Sequence, residues 1–103
     1  AGNILFVSGQ IAIQRATGKI ITTTIEEETN QVMENLGAVL KAAGMNFSNI
    51  VKTSIFLKNM DHFPQVNGIY GRFFAQDPPA RETVEVARLP KDVNVEISCV
   101  AVK

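Results

Sequence analysis

Apolar positions between residues 24 and 44 recur at helical spacing. Ile25, Val32, Met33, Leu36, Val39, Leu40 and Ala43 share one face. Thr24-Ile25-Glu26-Glu27 has the capping-box form, with Thr24 as N-cap and Glu27 reaching back. Three glutamates in the first turn suit the positive end of the helix dipole, and Gly44 supplies a stop. The pattern predicts an amphipathic helix over 25–43. A second stripe, Val66, Ile69, Tyr70, Phe73 and Phe74, predicts another helix. Asp61 caps it, Pro64 is tolerated in its first turn, and Asp77-Pro78-Pro79 ends it.

Strand patterns surround these helices. Ile4-Leu5-Phe6-Val7 is a short apolar run ended by Ser8-Gly9-Gln10. A turn at Ala16-Thr17-Gly18-Lys19 leads into a second short strand over 19–23. Residues 51–58 are rich in β-branched and aromatic side chains, and Thr83 to Arg88 reads as another strand. In the final strand, from Val93 to Val102, Val93, Val95, Ile97 and Cys99 alternate with Asn94, Glu96 and Ser98, and then Val100 and Val102 make both faces apolar. That marks a central or interface-facing strand. The order is ββαβαββ, with no linker, repeat or low-complexity segment, so residues 1–103 read as a single domain. Two amphipathic helices covering one face of a single sheet make an α+β layout. The other face keeps apolar residues, which predicts an oligomer.

Composition narrows the function classes. A chain of 103 residues with 46% apolar and 19% charged residues is ordinary globular material with one core. Ten basic residues balance ten acidic ones, and no two basic residues are adjacent, so a nucleic-acid partner is disfavoured. No apolar stretch approaches membrane-span length, and no signal-peptide pattern is visible. The lone Cys99 excludes an internal disulfide and a cysteine-rich metal site, and fits a reducing, cytoplasmic setting. With His62 the only histidine, multi-histidine zinc sites and serine–histidine triads are weak options.

A few residues carry candidate chemistry, each with a plainer account beside it. Arg81, after Pro78-Pro79-Ala80, is a carboxylate clamp or a solvated strand start that Glu82 neutralises. Glu96, between Val95 and Ile97, is a pocket carboxylate able to orient or deprotonate a water, or an outward residue beside Asn94 and Ser98. Ser8-Gly9-Gln10 offers unobstructed backbone N–H donors, or simply a turn. Asn67, disfavoured inside a helix, makes a specific hydrogen bond or is exposed. Arg88 reads as a salt bridge or solvated end, His62 as a solvated first-turn residue, and Cys99 as inert core. There is no nucleophile elbow, P-loop or metal-ligand spacing.

Together these segments resemble a known family. Val7-Ser8-Gly9-Gln10-Ile11, Gln31 through Leu36, Val51-Lys52-Thr53, Val66 through Tyr70, and above all Pro79-Ala80-Arg81 with Val84 through Asp92 are similar to the Rid family. These are the reactive intermediate/imine deaminases, also called YjgF-like or L-PSP endoribonuclease-like proteins. The match runs through essentially the whole chain, and the PAR…VEVARLPKD segment is its most specific part.

The resemblance implies a chorismate-mutase-like α+β fold, two helices on one face of a mixed sheet, and a homotrimer with ligand clefts between subunits. It implies hydrolysis of 2-imino acids or their enamine tautomers, such as 2-aminoacrylate, to 2-oxo acids and ammonia, with no cofactor. Arg81 falls on the family's carboxylate-binding arginine and Glu96 on the carboxylate that holds the attacking water. Thr83 falls on a position whose backbone faces the imine nitrogen and water. Gly9 with Ser8 falls on a cleft wall, Asn67 on the helix asparagine near the pocket, and Arg88 in the motif but outside the clamp. Ala12 and Arg15 replace prolines common in the first loop, and Glu82 replaces a small residue, placing a charge that competes for Arg81. The family pattern runs roughly 15–20 residues further at the N-terminus, through a strand and a cleft-lining tyrosine. Two rival readings are an RNA-cleaving translation inhibitor and a non-catalytic trimer that binds small ligands.

Overall fold

The structure is a computed structural model that describes residues 2–103. Its longest element, helix α1 (Ile25–Ala42), forms where the apolar stripe and the cap coincide. The Thr24 hydroxyl accepts from the Glu27 backbone N–H at 3.0 Å. The Glu27 carboxylate does not complete the expected box; it accepts from the Thr23 hydroxyl instead. Val32, Met33, Leu36 and Leu40 are fully buried. The helix stops where the Ala43 and Gly44 N–H groups bond back to Leu40 and Lys41, with Gly44 at φ 73°.

Four strands follow the chain as β1 (Ile4–Gln10), β2 (Ile50–Leu57), β3 (Ala80–Glu85) and β4 (Val95–Val102). They form one mixed sheet in the order β1-β4-β2-β3. β4 pairs antiparallel with both β1 and β2, while β3 joins β2 in parallel. That parallel step needs a crossover, and helix α2 (Phe63–Gly71) supplies it. Both helices pack on the same sheet face, over a core that includes Val7, Ile55, Leu57, Val95, Ile97 and Ala101. The last strand is central, as its two apolar faces imply.

Several boundaries differ from the sequence pattern. The expected strand over 19–23 is reduced to a single bridge, Ile13 to Ile20. Its loop is closed by Gln14 N to Lys19 O and Ile21 N to Ala12 O, and the chain then passes straight into the cap of α1. The order is thus βαβαββ. Asp61 does not cap α2. The Asn59 side chain accepts from Asp61 N at 2.9 Å and opens a 3₁₀ turn, Met60–His62, that leads into the helix. α2 ends at Gly71, well before Asp77, and Phe73 and Phe74 leave it to pack on Phe47. β3 starts at Ala80 rather than Thr83 because its partner Lys52 is already extended there, and it stops where β2 stops. β4 starts at Val95 because the Glu28 carboxylate takes the N–H groups of Asn94 and Val95.

The face turned away from the helices is left open. Phe6 is 69% exposed, Val84 43% and Ile4 39%. Among the described residues no helix is long and apolar enough to cross a membrane.

Candidate functional site

Arg81 lies in register with Thr53, and Thr53 is buried on the helix face. Neighbours across a ladder share a face, so the Arg81 side chain reaches over α2. Its guanidinium carbon sits 5.3 Å from the centre of the Phe63 ring and 5.2 Å from that of Tyr70, a cation–π platform. Nη1 donates to Asn67 Oδ1. Below, the Tyr70 hydroxyl and Thr53 Oγ1 are 2.7 Å apart in the core. Burial pushes the Tyr70 phenol above its ordinary value, partly offset by that hydrogen bond and by the positive charge of Arg81. The platform is uncharged, and among the described residues no carboxylate forms an ion pair with Arg81. Tyr70, Gly71, Phe74, Pro78 and Pro79 extend the site into a cavity of about 440 Å³. Thr83 follows Arg81 on the same face of β3, with a buried hydroxyl that has no partner among the described residues.

Glu82 does not neutralise Arg81. It points to the opposite face, 3.2 Å from Lys52 Nζ and 3.2 Å from the Ser54 hydroxyl. The Lys52 contact holds its carboxyl below the usual range. The alternation of the strand removes the expected competition of Glu82 for Arg81.

Glu96 belongs to that opposite face. It pairs in register with Phe56, which pairs in turn with Val84. Between Val7 and Gln10 the β1 register slips, so Ser8 and Gly9 together face Ser98. Two residues opposite one make a β-bulge, and it leaves both Ser8 and Gly9 exposed. A Cβ on Gly9 would stand 2.6 Å from Glu96 Cδ and 2.9 Å from its Cγ, so only glycine lets the carboxylate lie against this backbone.

The six candidate residues thus fall into two groups within one chain. Arg81, Asn67 and Thr83 stand on the helix side of the β3 edge. Glu96, Gly9 and Ser8 stand on the open side, across β2. Arg88 is apart from both. Its Nε donates to Asp92 Oδ1 at 2.7 Å across a turn in which Lys91 and Asp92 have φ near 58° and 55°. His62 is half-buried rather than solvated, and its Nδ1 lacks a partner among the described residues. Cys99 is core, and burial pushes its thiol up to about 11.

Two features escape a reading of the residues alone. Phe63 and Tyr70 are visible as apolar helix positions, but not as the bed for an arginine on another strand. Glu28 looks like one of three dipole-facing glutamates. It is fully buried, and it accepts from Asn94 N at 2.7 Å, Asn94 Nδ2 at 2.8 Å and Val95 N at 3.2 Å. Its spacing, three after Ile25 and four before Val32, puts it on the apolar stripe and is the signal that marks it.

A four-stranded mixed sheet, helices on one face and an arginine held at the parallel edge beside a small cavity define the α+β domain. The chain belongs to the endoribonuclease L-PSP family, whose model matches residues 1–103, and Rid proteins are among its relatives. It is 46% identical to a RutC family protein of Pyrococcus horikoshii, over 100% of this chain and 82% of that protein. It is 42% identical to the chloroplastic Reactive Intermediate Deaminase A of Arabidopsis thaliana, over 98% of this chain and 54% of the relative. The crystal structure of E. coli TdcF with bound serine superposes with a TM-score of 0.94 at 36% identity, covering 99% of this chain and 82% of that one.

Proposed function

We propose that the protein hydrolyses 2-imino acids and their enamine tautomers to 2-oxo acids and ammonia, in clefts between the subunits of a homotrimer. The observation that carries this reading is Arg81, a guanidinium with no ion pair among the described residues, held by Asn67, Phe63 and Tyr70. Such a fork fits one carboxylate bidentately. The serine bound by TdcF carries a carboxylate of this kind, and the plant relative's name states the chemistry.

The reaction asks little of the protein. Arg81 binds and orients the carboxylate. An iminium carbon is already electrophilic, so a water held by Glu96 adds to it while the carboxylate takes a proton. The tetrahedral carbinolamine collapses as its nitrogen is protonated; the C–N bond breaks, ammonia leaves and the C=O bond forms. Thr83 and the Ser8-Gly9 backbone supply polar contacts to the reacting atoms. No cofactor takes part, and the lone thiol suits a cytoplasmic setting.

Arg81 and Glu96 stand on opposite sheet faces, so a cleft that uses both draws them from two protomers. The open face with Phe6, Val84 and Ile4 is the surface a trimer would cover. RNA cleavage, the activity in the family's description, finds no support in the balanced charge.

Mixed trimers test both parts. Arg81→Ala and Glu96→Gln are each expected to keep at most about a tenth of wild-type activity alone. Refolded together, they should regain about a quarter of wild-type ammonia release, since each cleft takes one residue from each of two randomly mixed chains. Mixtures as inactive as the parents would place both residues in one protomer's site, or neither in catalysis.

A further inference from the structure

One buried carboxylate has no part in the proposed chemistry so far. Glu28 is fully buried on α1, and among the described residues no cation forms an ion pair with it. Such a charge is costly to bury unless donors surround it. Its donors all come from the start of β4: Asn94 N at 2.7 Å, Asn94 Nδ2 at 2.8 Å and Val95 N at 3.2 Å.

The place of these bonds in the sheet is what matters. The last rung that β1 shares with β4 joins Gln10 to Ile97. Val95 lies beyond it, where β1 has ended, and its N–H meets a helix side chain instead of a strand. On the other flank β2 continues. Phe56 stands opposite Glu96, Leu57 opposite Val95, and Lys58 N donates to Asn94 O at 3.0 Å. Glu96 therefore sits between the last β1 rung and the first residue that Glu28 holds. Its fit is close, since a Cβ on Gly9 would stand 2.6 Å from Glu96 Cδ. A small shift at the start of β4 moves the carboxylate off the bulge or into it.

We infer that Glu28 is a positioning residue for Glu96: it takes the place of the next β1 rung and sets where the water-holding carboxylate stands. The inference rests on the role proposed for Glu96 in imine hydrolysis. Glu28 acts by reach, from α1 to the two backbone N–H groups. A shorter side chain loses those bonds or draws β4 toward the helix. Arg81, on β3 beyond β2, lies outside this linkage. Turnover should therefore suffer while carboxylate binding does not.

Two substitutions separate reach from charge. Glu28→Asp keeps the charge and is one methylene shorter. Glu28→Gln keeps the reach; its carbonyl still accepts from two N–H groups, and the Asn94 amide can turn its oxygen to the new NH₂. Each variant would be assayed for ammonia release from the imino acid formed in situ by oxidising alanine, and for pyruvate binding. Glu28→Asp should lower kcat by about 10- to 100-fold, the scale of a misplacement up to about 1 Å. Its KM and pyruvate affinity should stay within about twofold of wild type. Glu28→Gln should keep kcat within about threefold. Placed in Glu96→Gln, Glu28→Asp should cost less than about twofold more, because the group it positions is already lost. Asn94→Ala removes only the third bond and should lower kcat by about threefold, which preserves the test should Glu28→Asp fail to fold. A wild-type protein without imine hydrolysis, or one indifferent to Glu96→Gln, sinks the proposed role of Glu96 and this inference with it. An active wild type whose kcat ignores both Glu28→Asp and Asn94→Ala, or loses as much again in the Glu96→Gln background, overturns the inference alone. So does a folded Glu28→Gln protein as slow as Glu28→Asp.

Discussion

The backbone of Gly9 and the side chain of Glu96 occupy space that leaves no room for a methyl group between them. The β1 bulge and the glycine act together: one turns the backbone toward the carboxylate, and the other admits it. Gly9→Ala should push Glu96 aside while the core, on the other sheet face, stays intact. Turnover of an imino acid should fall by about 10²-fold, the scale expected for a misplacement near 1 Å. The check is kcat against melting temperature. A Gly9→Ala protein of full activity would remove Glu96's position from the mechanism.

Arg81 and Arg88 are predicted to separate chemistry from structure. Arg81→Ala should lose roughly 10–1,000-fold in kcat/KM. Arg81→Lys should restore only part, because an ammonium lacks the planar fork that spans Phe63, Tyr70 and Asn67. Arg88→Ala breaks an exposed pair with Asp92 and should change stability only slightly. Kinetics and thermal melting on the three variants decide between them. Full activity in Arg81→Ala would place the clamp elsewhere.

Glu28 should behave as a structural pin. Glu28→Ala strips three donors at the start of β4 of their acceptor. The expected loss is about 3 kcal/mol, read as a lower denaturant midpoint at unchanged slope. A loss under about 0.5 kcal/mol, the level of a surface change, would contradict its role.

Alkaline pH should loosen the fold through Cys99. Burial raises its folded value to about 11 from an ordinary 9.0, so the folded chain holds the thiol proton longer than the unfolded one. Stability from this group is therefore complete below pH 9 and declines as pH rises through 9 toward 11. Cys99→Val should flatten the fall of unfolding free energy across that window. Tyr70, also raised by burial, leaves a residual slope. Identical slopes in the two proteins would refute the assignment.

These contrasts explain what the residues alone reveal. α1 is legible because its stripe, cap and stop are local. The Arg81 segment is legible through its resemblance to a family. The first half of β3 is not, since Ala80-Arg81-Glu82 lacks strand-forming residues and joins the predicted strand at Thr83 only because β2 offers an edge to pair with. Residues 19–23 have strand character and, among the described residues, no partner strand beyond the Ile13–Ile20 bridge. The platform under Arg81 depends on where α2 crosses β3. The burial of Glu28 depends on where β4 begins. Both are distances between segments far apart in the chain, which periodicity does not encode.

β4 alternates without a break: Val95, Ile97, Cys99 and Ala101 are buried, while Glu96, Ser98, Val100 and Val102 are half-exposed. One strand therefore carries two interleaved alphabets. The odd positions answer to packing under the helices, where a lost methylene is felt at once. The even positions answer to whatever lies across the open face. Substitutions among the even residues can redirect chemistry or association while the odd ones keep the chain folded, so this strand can acquire a new role without first finding a new core.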